Sequence, residues 1–527
     1  MPAPSSKASS RPSQIPSSQL ENHPLARAFG KRRWPGLLAF LALALGVPVA
    51  GLLGGCGGTQ TPPAAPGGPI AGQNTMVTVL MSSTANDELS LFEMTITSIT
   101  LADQSGKTAT IFSNPNTTQI VEAIHLNGKS EPFVTANIPQ DVYTSATVTV
   151  GNCEFSNVTT SDGTLGYATY DEGVCGNGTG NTTVDLPSPI TVSGQAMTLL
   201  FDLQVSQSFT LSGTPSNPTY TITPVFNLTG AALPAQPTNY QNGEETDLDG
   251  MITAISATGN QFNLQIPDEQ ALNLNPGGVS LSVAVDGNTE LQGISDFSEL
   301  SVGTFVDMDA ALQPDGSLVA SRIAVADPGA IEVGIGPMSS VFANPDVLSL
   351  FTVQAQGSAP GGGGLALGFP FQYSGTSFSV SGAFTNLQNL PFTPSFSSST
   401  LVAGQNVYIA ANSISVQGGV FSPATTVTLM PQTINGTVTA VSNSNGFAVY
   451  TVSLAAYDLF PVLATQPLQV VTLTNPSAVS VYADTSAQMF TSQPIAVGSV
   501  VRFNGLIFVN NGALSMDCAE ILDGVAE

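Results

Sequence analysis

Leu199-Leu200-Phe201-Asp202-Leu203-Gln204-Val205-Ser206 sets apolar side chains at positions 199, 201, 203 and 205, with Asp202, Gln204 and Ser206 between them. Side chains of a strand point alternately to its two faces, so this spacing turns one face to a core and the other to water. The same period of two recurs at Val77 and Val79, Met94 and Ile96, and Val148 and Val150. Short runs of this kind lie between clusters of Gly, Asn, Pro and Ser, and from Thr75 onward no run of helical period interrupts them. The pattern predicts antiparallel sheets, arranged over residues 73–230 as a β-sandwich of about seven or more strands.

Past residues 231–246, read as a linker, the pattern repeats. A glycine opens a hydroxyl-rich apolar strand three times: Asp249-Gly250-Met251-Ile252-Thr253-Ala254-Ile255, Ile335-Gly336-Pro337-Met338-Ser339-Ser340-Val341 and Asn435-Gly436-Thr437-Val438-Thr439-Ala440-Val441. Each is answered downstream by a second glycine-led strand, Val302-Gly303-Thr304-Phe305-Val306, Ala403-Gly404-Gln405-Asn406-Val407 and Val497-Gly498-Ser499-Val500-Val501. A turn glycine then follows 13 or 14 residues on, at Gly316, Gly418 and Gly512. The spacing fits one hairpin unit used three times, in modules 247–330, 331–431 and 432–527, the middle one enlarged by the glycine-rich insert Gly357 to Gly368.

The chain has 527 residues, 42% of them hydrophobic and 9% charged, enough for three or four packed domains and unlike a disordered acidic tail or a coiled coil. Six of its ten basic residues (Lys7, Arg11, Arg27, Lys31, Arg32 and Arg33) precede residue 56, where Glu21 is the only acid. The rest of the chain sets four cations, Lys107, Lys129, Arg322 and Arg502, against 35 acidic residues, a net of −31. Such a surface cannot neutralise phosphates, which excludes nucleic acid as a partner.

Lys31-Arg32-Arg33 precedes an apolar run from Leu37 to Leu53 that ends in Leu53-Gly54-Gly55-Cys56, the three parts of an export signal. The tetrapeptide resembles the lipobox of bacterial lipoproteins. That resemblance implies a diacylglyceryl group on Cys56 and cleavage before it, so residues 1–55 form a signal peptide with an extended n-region. Gly46, Pro48, Gly51, Gly54 and Gly55 weigh against the alternative, an uncleaved membrane helix. Residues 56–72, almost wholly Gly, Pro, Ala, Thr and Gln, read as a tether. Gly57 stands where inner-membrane lipoproteins of Gram-negative bacteria commonly carry Asp, so in such a host the resemblance favours the outer membrane.

Two further resemblances follow. Ile138-Pro139-Gln140-Asp141-Val142-Tyr143, and Val184-Asp185-Leu186-Pro187 followed by Leu199-Leu200-Phe201-Asp202-Leu203, resemble an uncharacterised domain family of bacterial lipoproteins over residues 75 to 212. Asp315-Gly316-Ser317-Leu318-Val319-Ala320-Ser321-Arg322-Ile323 resembles the ending of a second uncharacterised family, found in exported bacterial proteins. This second resemblance implies a small, closed or nearly closed β-barrel for each module. The expected fold is therefore all-β, an N-terminal antiparallel β-sandwich followed by three small β-barrel-like repeat modules.

With Cys56 assigned to lipid, Cys153, Cys175 and Cys518 remain. Cys153 and Cys175 are 22 apart and suit a disulfide in an oxidising compartment, the alternative being two buried thiols. Cys518 aligns with Ala320 at an inward position of the repeat and reads as core. His125 is the only histidine after the leader and lacks a placed nucleophile, while Asp307 and Asp309 share a strand face without an inferred cleft. No catalytic constellation emerges. The expectation is no cofactor, with calcium as the alternative at Asp247, Asp249, Asp286, Asn288 and Glu290, whose oxygens lie near turns but do not follow the twelve-residue calcium-loop pattern. The chain reads as a non-enzymatic, lipid-anchored envelope protein that binds a cell-surface protein or glycan or acts as a spacer. The alternative is a polysaccharide-binding or polysaccharide-processing surface lipoprotein.

Overall fold

The computed structural model describes residues 68–525, apart from 85–88, 115–118, 159–168, 179, 181, 215–216, 257–259, 267–278, 326–329, 331, 352–353, 357–368, 385–386, 413–421, 456–457 and 465–468. The expected leader, Cys56, most of the tether, the insert 357–368 and Gly418 lie outside the described residues.

The first domain contains β1 (Asn74–Ser83), β2 (Leu89–Asp103), β3 (Thr108–Ser113), β4 (Gln119–Glu122), β5 (Ser130–Pro139), β6 (Val142–Asn157) and β7 (Thr169–Val174). It continues through the short helix α1 (Cys175–Gly178), then β8 (Thr183–Asp185), β9 (Ile190–Thr191), β10 (Met197–Leu203), β11 (Phe209–Thr214), β12 (Asn217–Ile222) and β13 (Val225–Ala232). One sheet runs β5-β1-β10-β13-β8; the other runs β3-β2-β6-β7, with β4 and β9 at its sides. The sandwich is not purely antiparallel, since β1 lies parallel to β10 and β13 parallel to β8. The reason is burial on both faces. Leu199, Phe201 and Leu203 enter the sandwich core, whereas Leu80 and Leu200 project from the other face into the core of the next domain. Strands covered on both sides tolerate parallel pairing as near-continuous apolar runs.

Strands β14 (Glu244–Ile255), β15 (Gln261–Gln265), β16 (Ser280–Ala284), β17 (Glu290–Gln292), β18 (Phe305–Leu312) and β19 (Leu318–Ala324) form the first module. The second has β20 (Glu332–Ala343), β21 (Asp346–Leu350), β22 (Gln354–Gln356), β23 (Phe369–Gln372), β24 (Ser377–Val380), β25 (Asn406–Ala411) and β26 (Ser422–Leu429). The third has β27 (Gln432–Ser444), β28 (Phe447–Leu454), the helix α2 (Leu459–Leu463), β29 (Ala478–Phe490), β30 (Val500–Asn510) and β31 (Ala513–Asp523). All three close by one circuit: β14-β15-β16-β19-β18, β20-β21-β23-β26-β25 and β27-β28-β29-β31-β30, each returning to its first strand. The single parallel step falls in the same place each time, at β16–β19, β23–β26 and β29–β31.

The glycine repeat has a common register. Gly250 pairs with Val306, Gly336 with Val407 and Gly436 with Val501, so the opening glycine always faces the third residue after the answering one. Gly303, Gly404 and Gly498 adopt left-handed φ values of 92°, 101° and 93°, a region that glycine enters without steric penalty. Each donates its N–H to the residue two after the opening glycine: to the carbonyls of Ile252, Met338 and Val438 at 2.8 Å. The barrel interiors are filled by side chains, such as Val306, Met308, Leu318 and Ile323 in the first and Val501, Phe503, Met516 and Ile521 in the third.

The four domains form a ring rather than a string. Residues 231–246 are structured, with Tyr240 buried in a 3-10 turn, Tyr240–Asn242, that Asn239 caps. Ser130 Oγ donates to Glu245 Oε2 at 3.1 Å, joining sandwich to first barrel, and Phe305 stacks on Tyr408 at 5.6 Å between the first and second. Gln405 Nε2 donates to the Ile507 carbonyl at 2.9 Å, joining second to third. Arg502 Nη1 then closes the circuit on the sandwich, donating at 3.3 Å to the Ser83 carbonyl and to Asn127 Oδ1.

Candidate functional site

A cluster of charged residues forms where the sandwich and the first barrel meet, beside the third barrel. On β18, Val306, Met308 and Ala310 face the barrel interior, so the alternating Asp307 and Asp309 point outward. Asp249 on β14 sits opposite Asp307, and Arg322 on β19 sits opposite Asp309. Asp247 lies at an irregularity of β14 with φ 50°, which turns its N–H onto Asp309 Oδ1 at 3.1 Å. A bulge re-aims side chains in this way.

Arg322 binds both neighbours in forked geometry. Nε and Nη2 donate to Asp309 at 2.7 and 3.1 Å, while Nη1 and Nη2 donate to Asp307 at 3.2 and 2.9 Å. Lys129 reaches over from the sandwich, its Nζ 3.7 Å from Asp247 Oδ2. Burial works against the charged forms of Asp247, Asp249, Asp307, Arg322 and Lys129. It pushes Asp307 up to about 6, with Arg322 pulling the other way, and lifts Asp249 well above the carboxylate range, reinforced by Asp307. Burial also raises Asp247, opposed by Lys129. For Arg322 and Lys129, burial favours the neutral form, but their carboxylate neighbours outweigh it and hold both cations charged.

Two cavities adjoin the cluster. One of about 90 Å³ is lined by all four domains, including His125, Lys129, Asp249, Asn406, Thr433 and Asn504. The other, about 270 Å³, lies between the first and third barrels, with Ala383 and Phe384 of the second at its side, and is walled by Asp247, Asp309, Asp484, Asp517 and Glu520. Burial pushes Glu520 up to about 8, and burial with Asp484 nearby pushes Asp517 up to about 6.

His125 is held between two glutamates, Nδ1 3.0 Å from Glu122 Oε2 and Nε2 2.9 Å from Glu131 Oε1. Burial alone would lower its pKa, but Glu131 and Glu122 overcome this and raise it to about 10. The ring is an imidazolium at neutral pH, both nitrogens donating, and has no lone pair with which to act as a base.

Of the residues singled out in the sequence, Asp247, Asp249, Asp307, Asp309 and Arg322 come together. Asp286, Asn288 and Glu290 do not join them: they form a separate exposed turn in which Asp286 Oδ1 accepts the Asn288 N–H at 2.8 Å. Cys153 and Cys175 form a disulfide between β6 and α1, with Cα atoms 5.2 Å apart. Cys518 is buried in the third barrel's core, where it pairs with Gly505 as Ala320 pairs with Ala310. Sequence reasoning missed Lys129, Asp484, Asp517 and Glu520. Scarcity was the available signal for Lys129. Of the four cations past the leader, Lys129, Arg322 and Arg502 are at domain joints and only Lys107 is exposed. A charged side chain is seldom buried without a partner.

No match was found among curated proteins. Among solved structures, a Cu(II)-bound variant of CusF from Escherichia coli is 13% identical, covering 17% of this chain and 100% of that one at a TM-score of 0.13. Ag(I)-bound CusF is 14% identical, covering 15% of this chain and 92% of that one at a TM-score of 0.11. One family model matches: residues 249–324, from Asp249 to the end of β19 and therefore including Asp307, Asp309 and Arg322, fit the domain of unknown function DUF5666.

Proposed function

We propose that this chain is an exported, lipid-anchored envelope protein, held by an acylated Cys56 and a flexible tether, whose β-domains present a rigid, non-catalytic surface to a cell-surface protein or glycan. The observation that carries the reading is the closed ring of filled β-domains, tied one to the next by side chains at each joint. Such a block holds its outer loops at fixed separations, which suits a spacer or binding head. The likeness of residues 75 to 212 to a lipoprotein sandwich family, the Leu53-Gly54-Gly55-Cys56 signal and the Cys153–Cys175 disulfide all support an oxidising location outside the cytoplasm.

The test is mass spectrometry of the protein purified from membranes of a bacterial host. The reading expects an N-terminal peptide beginning at Cys56 with diacylglyceryl mass, and loss of membrane association in Cys56→Ser. A free thiol with residues 1–55 still attached would overturn it.

A further inference from the structure

We propose that the cavity of about 90 Å³ where the four domains meet binds the hydroxyl groups of a small neutral polyol, free or at the end of a glycan, through Asp249, Asn406 and Lys129, an assignment that rests on the glycan-binding side of the function proposed above. Each domain places a polar side chain in the wall: Lys129 from the sandwich, Asp249 from the first barrel, Asn406 from the second and Asn504 from the third. Two of these keep hydrogen-bonding capacity that the protein leaves unused. The Asp249 carboxyl is 3% exposed, and its Oδ1 receives no hydrogen bond from any described residue. Asn406 gives its amide N–H to the Pro431 carbonyl at 2.8 Å, and its Oδ1 is left without a donor. Lys129 is ion-paired with Asp247 at 3.7 Å and has three N–H groups to place. A buried polar group without a partner is costly, and unpaired oxygens from two domains beside one cavity point to a ligand that donates to them.

The charges in the wall are already engaged, which favours a neutral ligand. Glu122 and Glu131 hold the His125 imidazolium, Asp247 answers Lys129, and Asp458 accepts the Phe460 N–H at 3.0 Å. Burial and Asp307 lift Asp249 well above the carboxylate range, so at neutral pH it is an uncharged acid that donates one hydrogen bond and accepts others. The groove of about 270 Å³ between the first and third barrels differs in its wall of carboxylates. A hydroxyl both donates and accepts, so it can give its proton to Asn406 Oδ1 or Asp249 and take one from Lys129. Much of the remaining wall is apolar, with Ile335, Pro337, Phe351, Ile434 and Leu459, and suits the C–H faces of such a molecule. A water needs about 10 to 15 Å³ of such space, so the cavity has room for about six to nine water-sized groups, the size of a four-carbon polyol or one edge of a sugar ring.

The full chain is titrated at pH 7 with erythritol, a free polyol, and with methyl glucoside, which stands in for the terminal sugar of a glycan, and binding is followed by saturation-transfer NMR. The expected result is saturable binding of at least one of them with a Kd of roughly 10⁻⁴ to 10⁻² M. Tighter binding of erythritol identifies a free polyol, tighter binding of the glucoside a terminal sugar, and equal affinities a site that reads the hydroxyls alone. Asp249→Leu should weaken binding at least about tenfold while the fold is kept, since it removes an unpaired buried carboxyl. Asn406→Leu should weaken it at least about threefold and supplies the answer if the first variant does not fold. Asp286→Asn, in the exposed turn, should bind as the parent does. No saturable binding of either compound up to about 0.1 M, parent-like binding by folded Asp249→Leu or Asn406→Leu, loss of binding in Asp286→Asn, or binding of 1-butanol as tight as that of erythritol would each overturn the assignment. Acylation of Cys56 is read by mass and does not depend on these titrations, so the two readings fail separately.

Discussion

Replacing Glu520 by Gln should stabilise the protein at neutral pH and leave it nearly unchanged in mild acid. Glu520 is 9% exposed and burial lifts it from 4.5 to about 8, with Asp247 and Glu244 adding repulsion. Between those two values the folded chain holds a proton that the unfolded chain has released. Stability therefore falls as pH rises through this window, by about 1.4 kcal/mol per unit for this one group. From pH 4.5 to 7.5 the loss is about 4 kcal/mol as an upper bound, and about 2 kcal/mol once water entering the groove is allowed for. Gln keeps the size of the side chain and cannot ionise, so this slope should vanish. The assay is urea unfolding of parent and variant, followed by circular dichroism at several pH values. Equal midpoints at pH 4.5 and a variant midpoint clearly higher at pH 7.5 are expected. Parallel pH curves for the two proteins, or a variant that is weaker at pH 7.5, would refute the reasoning.

Arg322→Met leaves Asp307 and Asp309 without their guanidinium and should cost about 3 to 5 kcal/mol at pH 7, read as a lower urea midpoint. Part of that loss should return at pH 5, because Asp307 then accepts a proton. Cys153→Ser opens a 22-residue separation and should cost roughly 3 kcal/mol, an effect that reductant reproduces in the parent but not in the variant. Gly436→Ala would place a Cβ 2.5 Å from the Ser453 carbonyl oxygen and 2.6 Å from Val452 Cγ1, for a loss of about 1 to 3 kcal/mol. Gly498→Ala meets nothing within 4 Å and should cost only the left-handed backbone conformation, about 1 kcal/mol, measured in the same unfolding series.

The repeated glycines could be read from sequence because they are required locally: at Gly250 and Gly436 a side chain would collide with a facing strand, and Gly303, Gly404 and Gly498 sit at left-handed turns. Asp307 and Asp309 were legible as a pair on one strand face for a similar reason, since a period of two needs no knowledge of distant chain. Leu200 departs from the period of two. It interrupts the alternation of Leu199, Phe201 and Leu203, and the interruption marks a strand with a neighbour on both sides. Asp247 looked like an ordinary turn residue, but its company is Lys129 from another domain, more than a hundred residues earlier. Contacts across such separations leave no periodic trace, so the ring, the groove and the facing carboxylates of β31 emerge only in three dimensions.

Arg502, by reaching back to Ser83 and Asn127, also fixes the number of domains. An open array of repeats can be lengthened by copying one more unit onto either end. Here both ends of the series are already in contact, and an inserted fourth barrel would pull the third away from the sandwich and leave the guanidinium of Arg502 without those acceptors. Changes in copy number are therefore closed to this architecture, and descent with modification has to work through the loops and through the divergent middle barrel.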